Sequence, residues 1–291
     1  MIKLLEDYLN AFRDELRGAD RAVVQDALSD AEDHLSTAIE EELSGNPEET
    51  EEDAARKAIA QYGDPSEVAE HYRKVEKYTQ PVLAPERTPG KHSFFGVIAD
   101  PSAWASLLYM ILSLATGIIY FTWAVTGISV SAGMLVLIIG VPLAWLFFLS
   151  FRGLALVEGR IVETLLGVRM PRRAVFIRKG TGWWGSIKGV FSAATTWSSL
   201  VYLILMLPLG VIYFTVFVTL LSLSLGMVAS PVLELVFHVP MLHISEPWWT
   251  PVWLMPFVVA GGALLFLATM NLASLAGKLH GKLARIMLVS G

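Results

Sequence analysis

The sequence predicts an all-α chain in two parts: a small acidic helical domain, then a four-helix transmembrane bundle made of two parallel, repeated hairpins, each followed by an interfacial amphipathic helix. Three observations carry this. Charge is lopsided: residues 1–80 hold 9 Lys/Arg against 21 Asp/Glu, whereas the rest holds 13 against 6. Hydrophobic residues make up 54% and charged residues 17% of the chain, against about 25% charged in a soluble domain, and the shortage lies beyond residue 80. Finally, residues 104–134 recur at 197–227 with roughly 18 of 31 positions identical. Trp104 meets Trp197, Tyr109 meets Tyr202, and Gly117-Ile118-Ile119-Tyr120-Phe121-Thr122 meets Gly210-Val211-Ile212-Tyr213-Phe214-Thr215. Shared apolar composition would not align Trp, Tyr, Gly, Thr and Ser in one register.

The acidic part, residues 1–78, reads as four helices. Leu4, Leu5, Tyr8, Leu9, Phe12 and Leu16 recur at helical spacing. Gly18 breaks the first helix, and Asp20 caps a longer second one whose apolar stripe runs from Val23 to Leu43. Gly45-Asn46-Pro47 ends it. Thr50 caps a third helix, with acidic residues 51–53 at its positive dipole end. Gly63 then stops that helix, and Asp64-Pro65-Ser66-Glu67 starts a fourth with a cap, a proline at the first position and an acid at the third. The surface acidity argues against direct nucleic-acid binding, which needs clustered Lys and Arg. His34, set among acids, reads as a solvated surface residue.

The run Ala58-Ile59-Ala60-Gln61-Tyr62-Gly63-Asp64-Pro65-Ser66-Glu67-Val68-Ala69, behind a long acidic second helix and Tyr8-Leu9, resembles the HAAS signalling domain over residues 1–75. That domain commonly precedes membrane segments in prokaryotic proteins encoded beside PadR-like transcription regulators. The resemblance implies a cytoplasmic protein partner, such as a PadR-like regulator or a transporter.

Residues 79–100 read as a linker holding Pro81, Pro85, Pro89 and Gly90. Spans are expected at about 104–126, 131–151, 197–221 and 251–276, each long enough for about 30 Å of hydrocarbon, with residues 127–130 as a tight hairpin connection. Eight Lys/Arg lie between the second and third spans, and Lys278, Lys282 and Arg285 follow the fourth, while the other two connections have none. The positive-inside rule then places the N-terminal domain, the middle loop and the C-terminus in the cytoplasm of a multi-pass plasma-membrane protein. Leu154, Val157, Ile161 and Leu165 share one helical face, which reads as a helix lying on the inner leaflet. Residues 279–288 repeat that plan in weaker form. An ion pair from Arg160 to Glu163 is expected at i, i+3.

Pro208-Leu209-Gly210-Val211 before Tyr213-Phe214, the Gly140-Val141-Pro142-Leu143 step, and Glu158-Gly159-Arg160 leading to Leu165-Leu166-Gly167 resemble the four-span sensor domain of prokaryotic histidine kinases and membrane regulators, over residues 100–288. The first hairpin departs from that pattern, with Ala115-Thr116-Gly117 where the second has Pro208-Leu209-Gly210. The resemblance implies a membrane sensor relaying a bilayer or amphiphile signal. An accessory transport subunit or small carrier, and a structural scaffold, are the other readings.

Two places could bind something. Gly117, Tyr120, Thr122 and their counterparts Gly210, Tyr213, Thr215 could line an apolar pocket with a few hydroxyls, open toward the outer leaflet; both tyrosines could instead anchor the helices at the lipid interface. The insert at residues 228–250 carries His238, His243 and Glu246, a weak metal candidate whose spacing fits no known site; interfacial anchoring by Trp248 and Trp249 is the alternative. Cysteine is absent, which removes disulfides and thiolate chemistry. There is no P-loop, G-x-S-x-G, H-E-x-x-H or dinucleotide fingerprint, so neither an enzyme nor a cofactor is expected.

Overall fold

The computed structural model describes residues 3–78, 80–84, 94–134, 140–172, 194–239, 242–243 and 247–289. The acidic part folds as the four expected helices: α1 (Lys3–Glu15), α2 (Arg21–Gly45), α3 (Glu51–Tyr62) and α4 (Pro65–Tyr78). Asp20 caps α2 by accepting from the Ala22 amide at 2.9 Å, and Thr50 caps α3 by accepting from the Asp53 amide. Gly63 stands at φ 109°, left-handed backbone that a residue with a Cβ rarely adopts, and Asp64 accepts from the Ser66 amide to start α4. The core is small-residue on α2 and α3 and bulky on α1. Phe12 and Leu16 pack against Ala27, Ala31 and Leu35, and against Ala54, Ala55 and Ala58. His34 is exposed, with its ring 5.4 Å from that of Tyr62.

Two phenols tie this domain together across long sequence separations. Tyr8 donates to the Gly63 carbonyl at 2.9 Å, and Tyr72 donates to Asp30 at 2.7 Å. Burial, with Tyr62 and Asp64 nearby, pushes the Tyr8 hydroxyl up to about 12 from its ordinary 10. A group whose folded value is raised stabilises fully below its unfolded value and loses that contribution as pH climbs to the folded one. Thermal melts of the N-terminal domain should therefore fall between about pH 10 and 12. Tyr8→Phe should flatten that fall, and an unaltered fall would assign it elsewhere.

Beyond the linker come a 3₁₀ turn (Phe94–Ala99) and α5 (Pro101–Met134), α6 (Gly140–Leu166), α7 (Ala194–Leu235) and α8 (Met255–Leu288). Leu242 pairs with Trp248 in a two-residue antiparallel ladder, β1 (Leu242–His243) with β2 (Pro247–Trp248); the rest of the ordered backbone among the described residues is helical. α5 packs most extensively on α7, α7 on α8, and α6 and α8 also rest on α5.

Several expectations are corrected. Among the described residues three helices, not four, are long and apolar enough to cross a membrane: Pro101–Met134, Thr196–Leu235 and Met255–Leu288. The expected second span covered residues 131–151. Its first part now belongs to α5, residues 135–139 lie outside the described residues, and α6 runs on into Arg152, Glu158, Arg160 and Glu163. The connection expected at residues 127–130 is helix. An isolated glycine costs a helix only about 1 kcal/mol, and this segment holds no proline. α7 likewise runs through both Pro208 and Pro231 to Leu235, taking the first part of the 228–250 insert into the helix.

The two interfacial helices are also corrected. Residues 153–166 continue α6, and residues 279–288 continue α8. The helix buries its acid along with its apolar residues: Glu158 and Val162 are fully buried and Leu154, Ile161 and Leu165 pack against the core, while Val157 is 53% exposed. In a bilayer the apolar face can turn to lipid and the polar one inward. The Arg160–Glu163 pair forms as expected.

Candidate functional site

The site is built by helical period. On α5, Tyr109, Ser113, Gly117, Tyr120 and Ala124 are all buried, at the i, i+4, i+8, i+11 spacing that keeps residues on one face. On α7 the residues 93 positions later, Tyr202, Met206, Gly210 and Phe217, are buried likewise, and Tyr213 is half-buried. The glycines let these faces touch. A Cβ on Gly117 would lie 2.6 Å from the Met206 carbonyl oxygen, and one on Gly210 would lie 2.4 Å from that of Ser113. Backbone meets backbone at both points, which small residues permit in membrane helices.

Around this contact α6 and α8 each insert one ionisable side chain. On α6, Phe147, Phe151, Glu158 and Val162 share a buried face, and on α8 Ala273, Gly277, His280 and Ala284 do. Glu158 is 0% exposed and His280 is 1% exposed. Four tyrosines surround them. Tyr109 donates to Glu158 Oε1 at 2.6 Å and Tyr120 to Oε2 at 3.0 Å. Tyr202 donates to Oε1 at 3.2 Å. His280 Nε2 lies 2.7 Å from the Tyr109 hydroxyl and 2.9 Å from that of Tyr202, and its Nδ1 is 3.4 Å from that of Tyr213.

One assignment of protons uses every group. An ionised Glu158 accepts from three phenols, His280 Nε2–H points to the Tyr109 and Tyr202 oxygens, and Nδ1 accepts from Tyr213. Moving a proton onto Glu158 or Nδ1 removes an acceptor and forces one tyrosine to turn. Because buried polar groups left unpaired cost about 1–3 kcal/mol each, the cluster has a small set of discrete states rather than a continuum. Among the described residues no group of three or more His, Asp or Glu is placed to hold a metal.

Each side of the cluster leads to the N-terminal domain. Two residues along α6 from Glu158, Arg160 pairs with Glu163 and donates to the Pro171 carbonyl at 2.8 Å, and the next residue, Arg172, donates its amide to Asp26 at 2.7 Å. Five residues along α8 from His280, Arg285 donates to Asp20 Oδ2 at 2.8 Å. Asp20 and Asp26 both lie at the start of α2, and Asp20 is its cap. Gly167, at φ +66°, lets the linker cross: a Cβ there would sit 2.1 Å from the Leu83 carbonyl oxygen.

The residues singled out from sequence fall in different places. Tyr120 and Tyr213 join the cluster, Gly117 and Gly210 form the helix crossing with no open space at their Cα atoms, and Thr122 and Thr215 lie on exposed faces. His238 is exposed, while Glu246 and the side chain of His243 lie outside the described residues. Sequence reasoning missed Tyr109, Tyr202, Glu158 and His280 as one site. The signal was present: Glu158-Gly159-Arg160-Ile161 and His280-Gly281-Lys282-Leu283 hold matching places after their apolar runs.

A helical membrane bundle with ionisable groups sealed in its core is the class this geometry defines, since intramembrane ionisable residues are expensive and mark function. The chain belongs to the family described as "Putative sensor", whose model matches residues 109–288. The HAAS family model matches residues 7–71. The cluster lies wholly within the sensor match, and the two aspartates that receive its arms lie within the HAAS match. No curated protein and no solved structure matches the chain. The two domains give it a sensor or regulatory role, in a protein whose long apolar helices suit a membrane.

Proposed function

We propose that the chain is a membrane-embedded sensor in which the Glu158–His280 cluster sets the relation between the two hairpins, and α6 and α8 carry that setting to the start of α2. The acidic N-terminal domain then presents or withholds its surface to a cytoplasmic protein, a PadR-like regulator being the partner class that the HAAS resemblance implies. The single observation that supports this most is the paired connection. Each helix that places an ionisable residue in the cluster also leads, within one chain segment, to an aspartate at the start of α2. Coupling of this kind needs an element with two arrangements whose balance both sites bias. The discrete proton arrangements open to the cluster would supply one. The contact of Arg285 with Asp20, which sets the end of α8 beside the N-terminal domain, supports both termini lying on one side of the plasma membrane, the cytoplasmic side by their basic residues; α6, less apolar than the other three helices but packed against α5, would then return the chain across it.

The test uses the full chain in vesicles with crosslinkable groups on α3 and α4. Specific capture of a cytoplasmic protein, altered at least severalfold by Glu158→Gln, is the expected result; no captured partner, or capture indifferent to Glu158, would reject the relay. A second expectation concerns the contact itself. Arg285 and Asp20 are partly exposed, so their pair contributes little stability, on the order of 0–1 kcal/mol. Arg285→Ala should leave the melting temperature nearly unchanged yet raise amide exchange at residues 20–28, where an unchanged exchange pattern would show the pair to be idle.

A further inference from the structure

Beyond the helix crossing the two hairpins close differently. Where α7 has Val216 and Leu220, α5 has Trp123 and Gly127. In the second hairpin α7 and α8 close tightly there: a Cβ on Gly262 would lie 2.7 Å from Met227 Cβ and 2.9 Å from the Ser224 carbonyl oxygen, and Ser224 donates back to the Leu221 carbonyl. In the first hairpin the ring of Phe147 lies over Gly127, and a cavity of about 320 Å³ opens between α5 and α6, lined by Trp123, Val130, Ser131, Leu146 and Phe147 among others. Ser131, the counterpart of Ser224, is 7% exposed, and its hydroxyl has no hydrogen-bond partner among the described residues. A buried unpaired hydroxyl is uncommon and calls for an explanation.

Depth and charge define what fits. Ser131 stands 27 residues past Trp104, about 40 Å along a helix, so it lies beyond the roughly 30 Å of hydrocarbon at head-group level, far from the N-terminal domain. Trp123, 19 residues past Trp104 and so about 28 Å along the same helix, comes near the same hydrocarbon boundary as Ser131 and donates to Ser150 at 3.1 Å. The lining carries no charged side chain, which suits an ester carbonyl and not a carboxylate. The volume is at the small end of ligand sites, roughly 300–1,000 Å³, room for one chain and not for a two-chain lipid.

We propose that this crevice binds a single-chain ester lipid, its hydrocarbon chain between α5 and α6 and its ester carbonyl accepting from Ser131. This rests on the sensor reading only in naming what is sensed; binding itself stands apart from any relay.

The experiment places the full chain in phosphatidylcholine vesicles and adds lysophosphatidylcholine carrying a photoactivatable group on its chain. Saturable labelling of residues 123–150, competed by untagged lysophosphatidylcholine, is expected. Leu146→Trp and, separately, Val130→Trp should cut it about tenfold by filling the crevice, with Val211→Trp, on an exposed face of α7, as the unaffected control. Ser131→Ala should weaken half-saturation about fivefold, the size of one hydrogen bond. Labelling that rises linearly with probe, or that survives both tryptophans in chains that elute as folded protein, would overturn the proposal. Equal saturable labelling by a photoactivatable phosphatidylcholine would overturn the single-chain assignment. Saturable labelling with unchanged partner capture would instead reject the relay and leave the binding site standing.

Discussion

Replacing Glu158 by alanine is expected to destabilise the membrane bundle by several kcal/mol, at about 1–3 kcal/mol for each buried phenol left without its acceptor. The size follows from what is left behind. Tyr109, Tyr120 and Tyr202 all donate to this one carboxylate, which is 0% exposed and so closed off from bulk water. Glu158→Gln keeps the shape and one acceptor oxygen but turns the other into a donor facing a donor, so its cost should be clearly smaller. Denaturant unfolding of the full chain in detergent measures both. Equal and small effects would mean that the phenols find other acceptors and that the cluster does not hold the bundle.

The second large effect is expected at the helix crossing. Gly117→Leu and Gly210→Leu each push a side chain into the backbone of the facing helix, where even a Cβ lies 2.6 Å and 2.4 Å from a carbonyl oxygen. Backbone cannot yield as a flexible side chain does. Each alanine variant should therefore cost about 1–3 kcal/mol, and each leucine more. The double alanine variant should cost less than the sum, because the first substitution already separates the helices that the second would separate. The same unfolding assay reads all of these; strictly additive values would show that the two glycines act on separate contacts.

Much of the fold was legible because local chemistry wrote it. Asp20, Thr50, Gly63 and Asp64 mark the helix ends of the N-terminal domain, and all act there as expected. The membrane helices were legible as apolar runs but not in their lengths. Hydropathy loses its signal where a helix turns charged, so Arg152 and Lys278 read as span ends although α6 and α8 continue past them. That error hid the site. With the spans drawn to end at residues 151 and 276, Glu158 and His280 fell on surface helices, where ionisable residues need no explanation. Tyr109 and Tyr202 repeat just as Tyr120 and Tyr213 do, but whether a tyrosine faces lipid or core depends on which partner reaches it. That partner is set by packing between four helices and not by spacing along one.

The central claim is that the buried cluster and the start of α2 are coupled. Amide hydrogen exchange of the full chain in vesicles tests it most directly, comparing wild type with Glu158→Gln, a variant chosen to keep the bundle folded. The account predicts that residues 20–28, which hold Asp20 and Asp26, exchange severalfold faster in the variant while α3 does not change. Identical exchange at residues 20–28 in the two proteins, with Asp20→Ala raising it as a positive control, would contradict it.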